Sequence, residues 1–152
     1  MALGIQRVAD IERQIIMASA YGNVAVKSTS IILPATTADD DTIDFMELPV
    51  GVRIIDCLAR LTPAAAGTVT FALGIAQKPG HLDTKVDPDA LILAAAISTS
   101  ATIRRRNNVA VGHVGLTLDD TYLIQGIIEA AALGATPVTV ELDVIYEYLG
   151  TT

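Results

Sequence analysis

At 152 residues the chain fits one domain and is long enough to bury a core of its own. Ten basic against seventeen acidic side chains leave a formal charge of −7, which argues against a broad nucleic-acid footprint. No apolar run approaches the roughly 18 residues that a membrane span requires.

Apolar side chains nevertheless make up 51% of the sequence, and mean hydropathy is +0.50. A soluble chain this greasy is expected to cover part of its surface by associating with itself or with a larger assembly. The opening "MALGIQRVADIERQIIM" places Arg7, Asp10, Glu12 and Arg13 where a secretory signal needs an unbroken apolar stretch, so no targeting segment is expected. The single cysteine, Cys57, cannot close an internal disulfide and alternates with Ile55 and Ala59 as a small core residue would.

Residues 1–22 read as an N-terminal arm, and residues 23–152 as a β-sandwich domain. In the arm, Ile5, Val8, Ile11 (or Glu12) and Ile15 recur at three- and four-residue intervals, with Arg7, Asp10, Arg13 and Gln14 largely outside the apolar stripe. A free helix of this length is marginal in water. The arm, helical or extended, is therefore expected to dock its stripe on a partner.

Turn signals then recur at short spacing: Pro34, Pro49 with Gly51, Pro63 to Gly67, Pro79-Gly80, Asn107-Asn108, Asp119-Asp120 and Gly134 to Pro137. That punctuation predicts an all-β domain of seven or eight antiparallel strands packed as a sandwich or jelly roll. Strands are predicted at residues 25–33, 42–48, 52–61, 110–118 and 122–129. In "TVTFALGI", Val69, Phe71, Leu73 and Ile75 would face inward. In "VTVELDVIYEY", Val138, Val140, Leu142, Val144, Tyr146 and Tyr148 share one face and Thr139, Glu141, Asp143 and Glu147 the other, with Ile145 out of pattern.

One stretch carries helical signals instead. In "VDPDALILAAAIS", Asp87 can cap, Pro88 suits the first helical position and Asp89 complements the helix dipole, which predicts a short helix at 88–97.

Three clusters offer chemistry. Asp39, Asp40 and Asp41 with Asp44 have the oxygen chemistry of a calcium loop, but adjacent side chains do not converge on one ion. They read as a solvated loop tip, with "LPVG" as a turn closing the hairpin behind it. His81, Asp83, Asp87 and Asp89 lack the spacing of a ligand set and read as a surface loop ending in a cap. Arg104, Arg105 and Arg106 form the one basic cluster. Without interleaved aromatic residues it suits an acidic protein surface better than nucleic acid. His113 stands apart from any nucleophile motif, and the serine-elbow, zinc-helix, paired-cysteine and phosphate-loop patterns are absent. No metal, cofactor or enzymatic activity is expected.

The succession "ILPATTADDDTIDFMELPVGVRIIDCLARLT", "TVTFALGIA", "DPDALILAAA" and "VTVELDVIYEY" resembles a group of small virion proteins of tailed phages, over about residues 31–148. The resemblance implies a capsid decoration or cement protein with a β-sandwich or jelly-roll body, commonly trimeric, bound to the major capsid protein on the outer head surface and made in the host cytoplasm. The N-terminal stripe and the arginine loop fall outside the group's pattern; their own apolar and basic chemistry makes Ile5, Val8, Ile11, Ile15, Arg104, Arg105 and Arg106 the candidate partner-binding residues. A head-tail joining or tail component is the alternative within that class. Outside it stands a small sandwich binding a glycan or other ligand with calcium in the Asp39–Asp44 and His81–Asp89 loops, although the lack of tryptophan leaves a thin stacking platform for sugars.

Overall fold

The computed structural model describes residues 6–7, 24–62, 68–77, 86–97, 101–104, 118–134 and 136–150. They form nine strands: β1 (Gln6–Arg7), β2 (Val24–Leu33), β3 (Thr42–Leu48), β4 (Val52–Thr62), β5 (Thr70–Gln77), β6 (Val86–Ala96), β7 (Ala101–Arg104), β8 (Tyr122–Glu129) and β9 (Val138–Tyr148). One sheet runs β1-β3-β8-β5-β6 and the other β2-β9-β4-β7. All pairings are antiparallel except the two-residue contact of β1 with β3.

The inner rows of both sheets meet in a single core. Ile31, Leu33, Cys57, Leu61, Val140 and Leu142 of one sheet are buried with Ile43, Phe45, Phe71, Leu73 and Ile124 of the other. Full burial of an aliphatic side chain contributes roughly 1.5–3 kcal/mol, so this shared row is what holds the two sheets together. The strands pair in nested order, β2 with β9, β3 with β8, β4 with β7 and β5 with β6, as if one long hairpin had been wound into two layers.

The predicted strands at 42–48, 122–129 and 138–148 coincide with β3, β8 and β9. Alternation in β9 is as read from Val138 to Tyr146, with Val138, Val140, Leu142 and Val144 fully buried and Ile145 half-buried, but it breaks at the end, where Glu147 is buried and Tyr148 half-buried. Val69, just before β5, and Phe71 and Leu73 within it are buried as expected and Ile75 is half-buried, but Ala72 and Ala76 on the opposite face are buried too. Ala76 packs there in a small separate cluster with Leu123, its neighbour across the β5–β8 ladder. Of the strand predicted at 110–118, only Leu118 lies among the described residues.

Three expectations are corrected. The predicted helix at 88–97 is strand β6, which borders the sheet and, among the described residues, pairs with β5 alone. Pro88 is tolerated there because an edge strand can spare a ladder donor. The ladder also shifts: Leu73 pairs with Ile92 and Ile75 with Asp87, so two steps along β5 match five along β6. The bulged stretch takes up Pro88 and Asp89, the residues that resembled a helix start. The arm, for which the sequence leaves helical and extended forms both open, contributes an extended piece at Gln6–Arg7 that pairs parallel with Ile43 and Asp44, so it needs no correction.

"LPVG" closes no hairpin, since β3 and β4 belong to different sheets and the turn carries the chain from one layer to the other. The Val52 amide donates to Pro49 O at 3.4 Å, and Gly51 has φ 82°, the left-handed conformation that a type II turn requires at its third residue. Finally, Cys57 alternates with Ala59 but not with Ile55. Ile54 pairs with Tyr146 and Asp56 with Ile145, leaving Ile55 in a bulge and 38% exposed while Ile54 is fully buried.

Candidate assembly surface

The outer face of the β2-β9-β4-β7 sheet carries the most organised set of functional groups among the described residues. Alternation along β2 turns Val24, Val26, Ser28, Ser30 and Ile32 outward. The β2–β9 and β9–β4 registers align them in rows across the sheet: Val24 with Glu147 and Arg53, Val26 with Ile145 and Asp56, Ser28 with Asp143 and Leu58, and Ser30 with Glu141 and Arg60.

The middle of this face is a neutralised polar lattice. Ser28 Oγ donates to Asp143 Oδ1 at 2.6 Å. Arg60 Nη1 lies 2.8 Å from Asp143 Oδ2 and 3.9 Å from Glu141 Oε2. Arg53 pairs with Glu147 at the end of the sheet. The more exposed pairs of Arg60 contribute about 0–1 kcal/mol each to stability. The main effect of the lattice is to cancel the acid row of β9 with arginines from β4, so the face repels an approaching protein less than the overall charge suggests.

Apolar side chains flank the lattice. Val24 and Val26 are each 60% exposed and Ile32 is 63% exposed. On the inward row of the same strand, burial depresses the pKa of Lys27. Burial likewise raises the pKa of the Tyr146 phenol in the neighbouring strand.

The acid run is the loop tip between β2 and β3. Asp40 adopts φ 64°, a left-handed conformation that aspartate tolerates better than most residues. The Asp40 amide donates to Ile128 O at 2.8 Å, the Ile128 amide donates to Asp41 O at 3.2 Å, and Asp41 Oδ2 accepts the Ala38 amide at 2.5 Å. Asp44 accepts from Gln125 Nε2 across the β3–β8 ladder at 2.7 Å. These bonds fasten the loop to the end of β8. Among the described residues, no three acidic, histidine or cysteine side chains are grouped to hold a metal ion.

The loop does gather charge. Desolvation raises the pKa of Glu129, and Asp89, Asp40 and Asp39 push it further the same way. No helix among the described residues is long and apolar enough to cross a membrane.

Of the candidate residues read from the sequence, Ile5, Val8, Ile11, Ile15, Arg105 and Arg106 lie outside the described residues, as do His81, Asp83 and His113. Arg104 ends β7 opposite Leu58. Asp87 and Asp89 lie on β6, and among the described residues neither belongs to a group of three side chains that could hold a metal ion. Sequence reasoning missed Arg53 and Arg60. Alternation in β9 exposed the acid row, but pairing it with these arginines requires the β4–β9 register and its bulge.

No protein-family model matches the sequence, and no curated protein matches it. Solved structures share the fold. A chain in the capsid of Ralstonia phage GP4 superposes with a TM-score of 0.74 at 21% identity, over 93% of this chain and 94% of that one. A chain of the cyanophage Pam1 capsid asymmetric unit superposes with a TM-score of 0.61 at 18% identity, over 88% and 92%. A chain in the acid-stable capsid of Helicobacter pylori bacteriophage KHP30 gives a TM-score of 0.55 at 8% identity, over 86% and 92%.

Proposed function

We propose that this chain is a non-enzymatic structural protein of a tailed-phage head, and within the head a decoration or cement protein on the outer shell. The observation that carries this reading is the near end-to-end match in both directions: each neighbour is a chain of about this size with the same fold, taken from a phage capsid. The nested strand pairing supports a jelly-roll body for such a protein.

The surface chemistry supports an adhesive role. The polar groups on the outer face of the β2-β9-β4-β7 sheet are spent on one another, and the apolar residues beside them are open to contact. Mechanically, such a protein bridges neighbouring capsomers and buries additional surface across seams that internal pressure pulls apart. Each Å² of apolar surface so buried contributes about 25 cal/mol, and many modest contacts repeat over the shell. The N-terminal row of Ile5, Val8, Ile11 and Ile15 and the Arg104–Arg106 cluster are proposed contacts to the major capsid protein, and clusters of three copies are proposed from the resemblance.

The test is addition of the purified protein to phage heads assembled without it. Saturable binding at a fixed ratio to the major capsid protein, with a higher temperature of head rupture, is the expected result. Failure to bind heads, or binding confined to isolated necks or tails, overturns the decoration role.

A further inference from the structure

We propose that β2 is a docking strand for a second copy of this chain, the two β2 strands pairing antiparallel about a two-fold axis through Ser28. The two four-stranded sheets would then become one of eight strands. This contact rests on the geometry of β2 and not on the phage reading.

Strand β2 borders its sheet, and β9 is its one ladder partner among the described residues. Open edges of this kind template pairing with another chain, and proteins usually blunt them with proline, bulges or short strands. Strand β2 has none of these. It runs ten residues without proline or glycine and holds register with β9 through ten consecutive pairs, Val24–Glu147 to Leu33–Val138. The long strands β4 and β6, by contrast, both carry register shifts.

The sequence of the strand complements itself. With Ser28 opposite Ser28, Val24 of each copy falls opposite Ile32 of the other and Val26 opposite Ser30, all on the outward row. Val24, Val26 and Ile32 are the large hydrophobic side chains that the single chain leaves most exposed among the described residues; cross-strand aliphatic pairing covers Val24 and Ile32, and Val26 lies against the Ser30 position. On the inward row Ala25 meets Ile31, and Lys27 meets Thr29. Lysine is a common edge guard, but here its charge faces a hydroxyl rather than its own copy. The register must keep outward residues opposite outward ones, because a slip of one position would turn Val24 and Val26 against the inward row.

Disulfide trapping tests the pairing in the purified full chain. Cys57 is fully buried and is the only native cysteine, so background cross-linking is low. Residues directly opposite in an antiparallel pair have Cα atoms about 4.5–5.5 Å apart, within disulfide reach. Ser28→Cys is therefore expected to convert to a covalent dimer under mild oxidation. Val26→Cys alone and Ser30→Cys alone should stay unlinked, their own copies lying four residues or roughly 13 Å apart along the strands, whereas a mixture of the two should link.

Ser28→Lys places two lysines on the axis and should dissociate the pair without changing the melting temperature of the separated chains. The native protein should have a solution mass that is an even multiple of 15.9 kDa, six copies where the three-copy cluster also forms and two where it does not, and a mass of three copies overturns the proposal. A monomeric native chain, or Ser28→Cys linking no faster than Val26→Cys, overturns the proposal. A protein that cross-links as described yet ignores phage heads overturns the decoration role and leaves this contact standing.

Discussion

Phe45 and Phe71 meet edge to face in the core, their ring centroids 6.3 Å apart and their planes at 86°. Both rings close over the backbone of Gly126, which lies in β8 between the strands that carry them. A Cβ on Gly126 would stand 2.7 Å from Cε2 of each ring, closer than real Cβ contacts come. Gly126→Ala must therefore displace two fully buried aromatic rings, and overpacking of this kind costs about 1–3 kcal/mol. Urea denaturation should show a lower midpoint at unchanged slope. Adding Phe71→Leu should make the double variant less unstable than the two single losses combined, because the leucine leaves room for the new methyl group.

The Arg53–Glu147 pair joins unequal environments. Glu147 is only 11% exposed at its side chain while Arg53 is 45% exposed, and Glu147 Oε1 is buried with no hydrogen bond beyond the ion pair. Arg53→Met strands that carboxylate and should lower stability by about 1–3 kcal/mol, the cost of an unsatisfied buried polar group. Replacing both residues with methionine should recover most of the loss, since no charge is then left shielded from water. A double-mutant cycle by chemical denaturation measures the difference.

Glu129 gives the protein a specific pH response. Its carboxyl is held above the ordinary glutamate range by burial first and by Asp89, Asp40 and Asp39 second. In the folded state it therefore binds its proton more tightly than in the unfolded chain. Its contribution favours folding in full below the unfolded value of about 4.3 and is lost as pH rises through the raised folded value. Glu129→Gln should raise the melting temperature at pH 7 and narrow its gap from the value measured near pH 5. Equal gains from the substitution at both pH values would count against this account.

The N-terminal row is expected to act on a partner rather than on its own sandwich. Ile11→Asp or Ile15→Asp places an unpaired charge in an apolar contact, and loss of one buried aliphatic side chain is worth roughly 1.5–3 kcal/mol. Binding to heads should weaken about ten- to a hundredfold per contact, while the melting temperature of the isolated protein stays unchanged. A lowered melting temperature with normal head binding by the folded fraction would place the row against its own domain.

Local pattern alone determined the layered β architecture and much of its inventory. Strands β3, β8 and β9 were legible to the residue because their alternation is strong and Gly, Pro or Asp-Asp signals bound them. Tertiary contacts decided what those periodicities leave open. The helix-capping logic of Asp87, Pro88 and Asp89 failed because β5 supplies a ladder and the sheet border tolerates proline. "LPVG" became a crossover because the inner rows of β3 and β4 are buried from opposite sides of one core. The β4 bulge moved Ile55 outward and Ile54 inward, a phase change invisible to a period of two. The assembly surface needed the same information: Arg53 and Arg60 are remote in sequence from Glu147 and Asp143, and only the β4–β9 register brings their charges together.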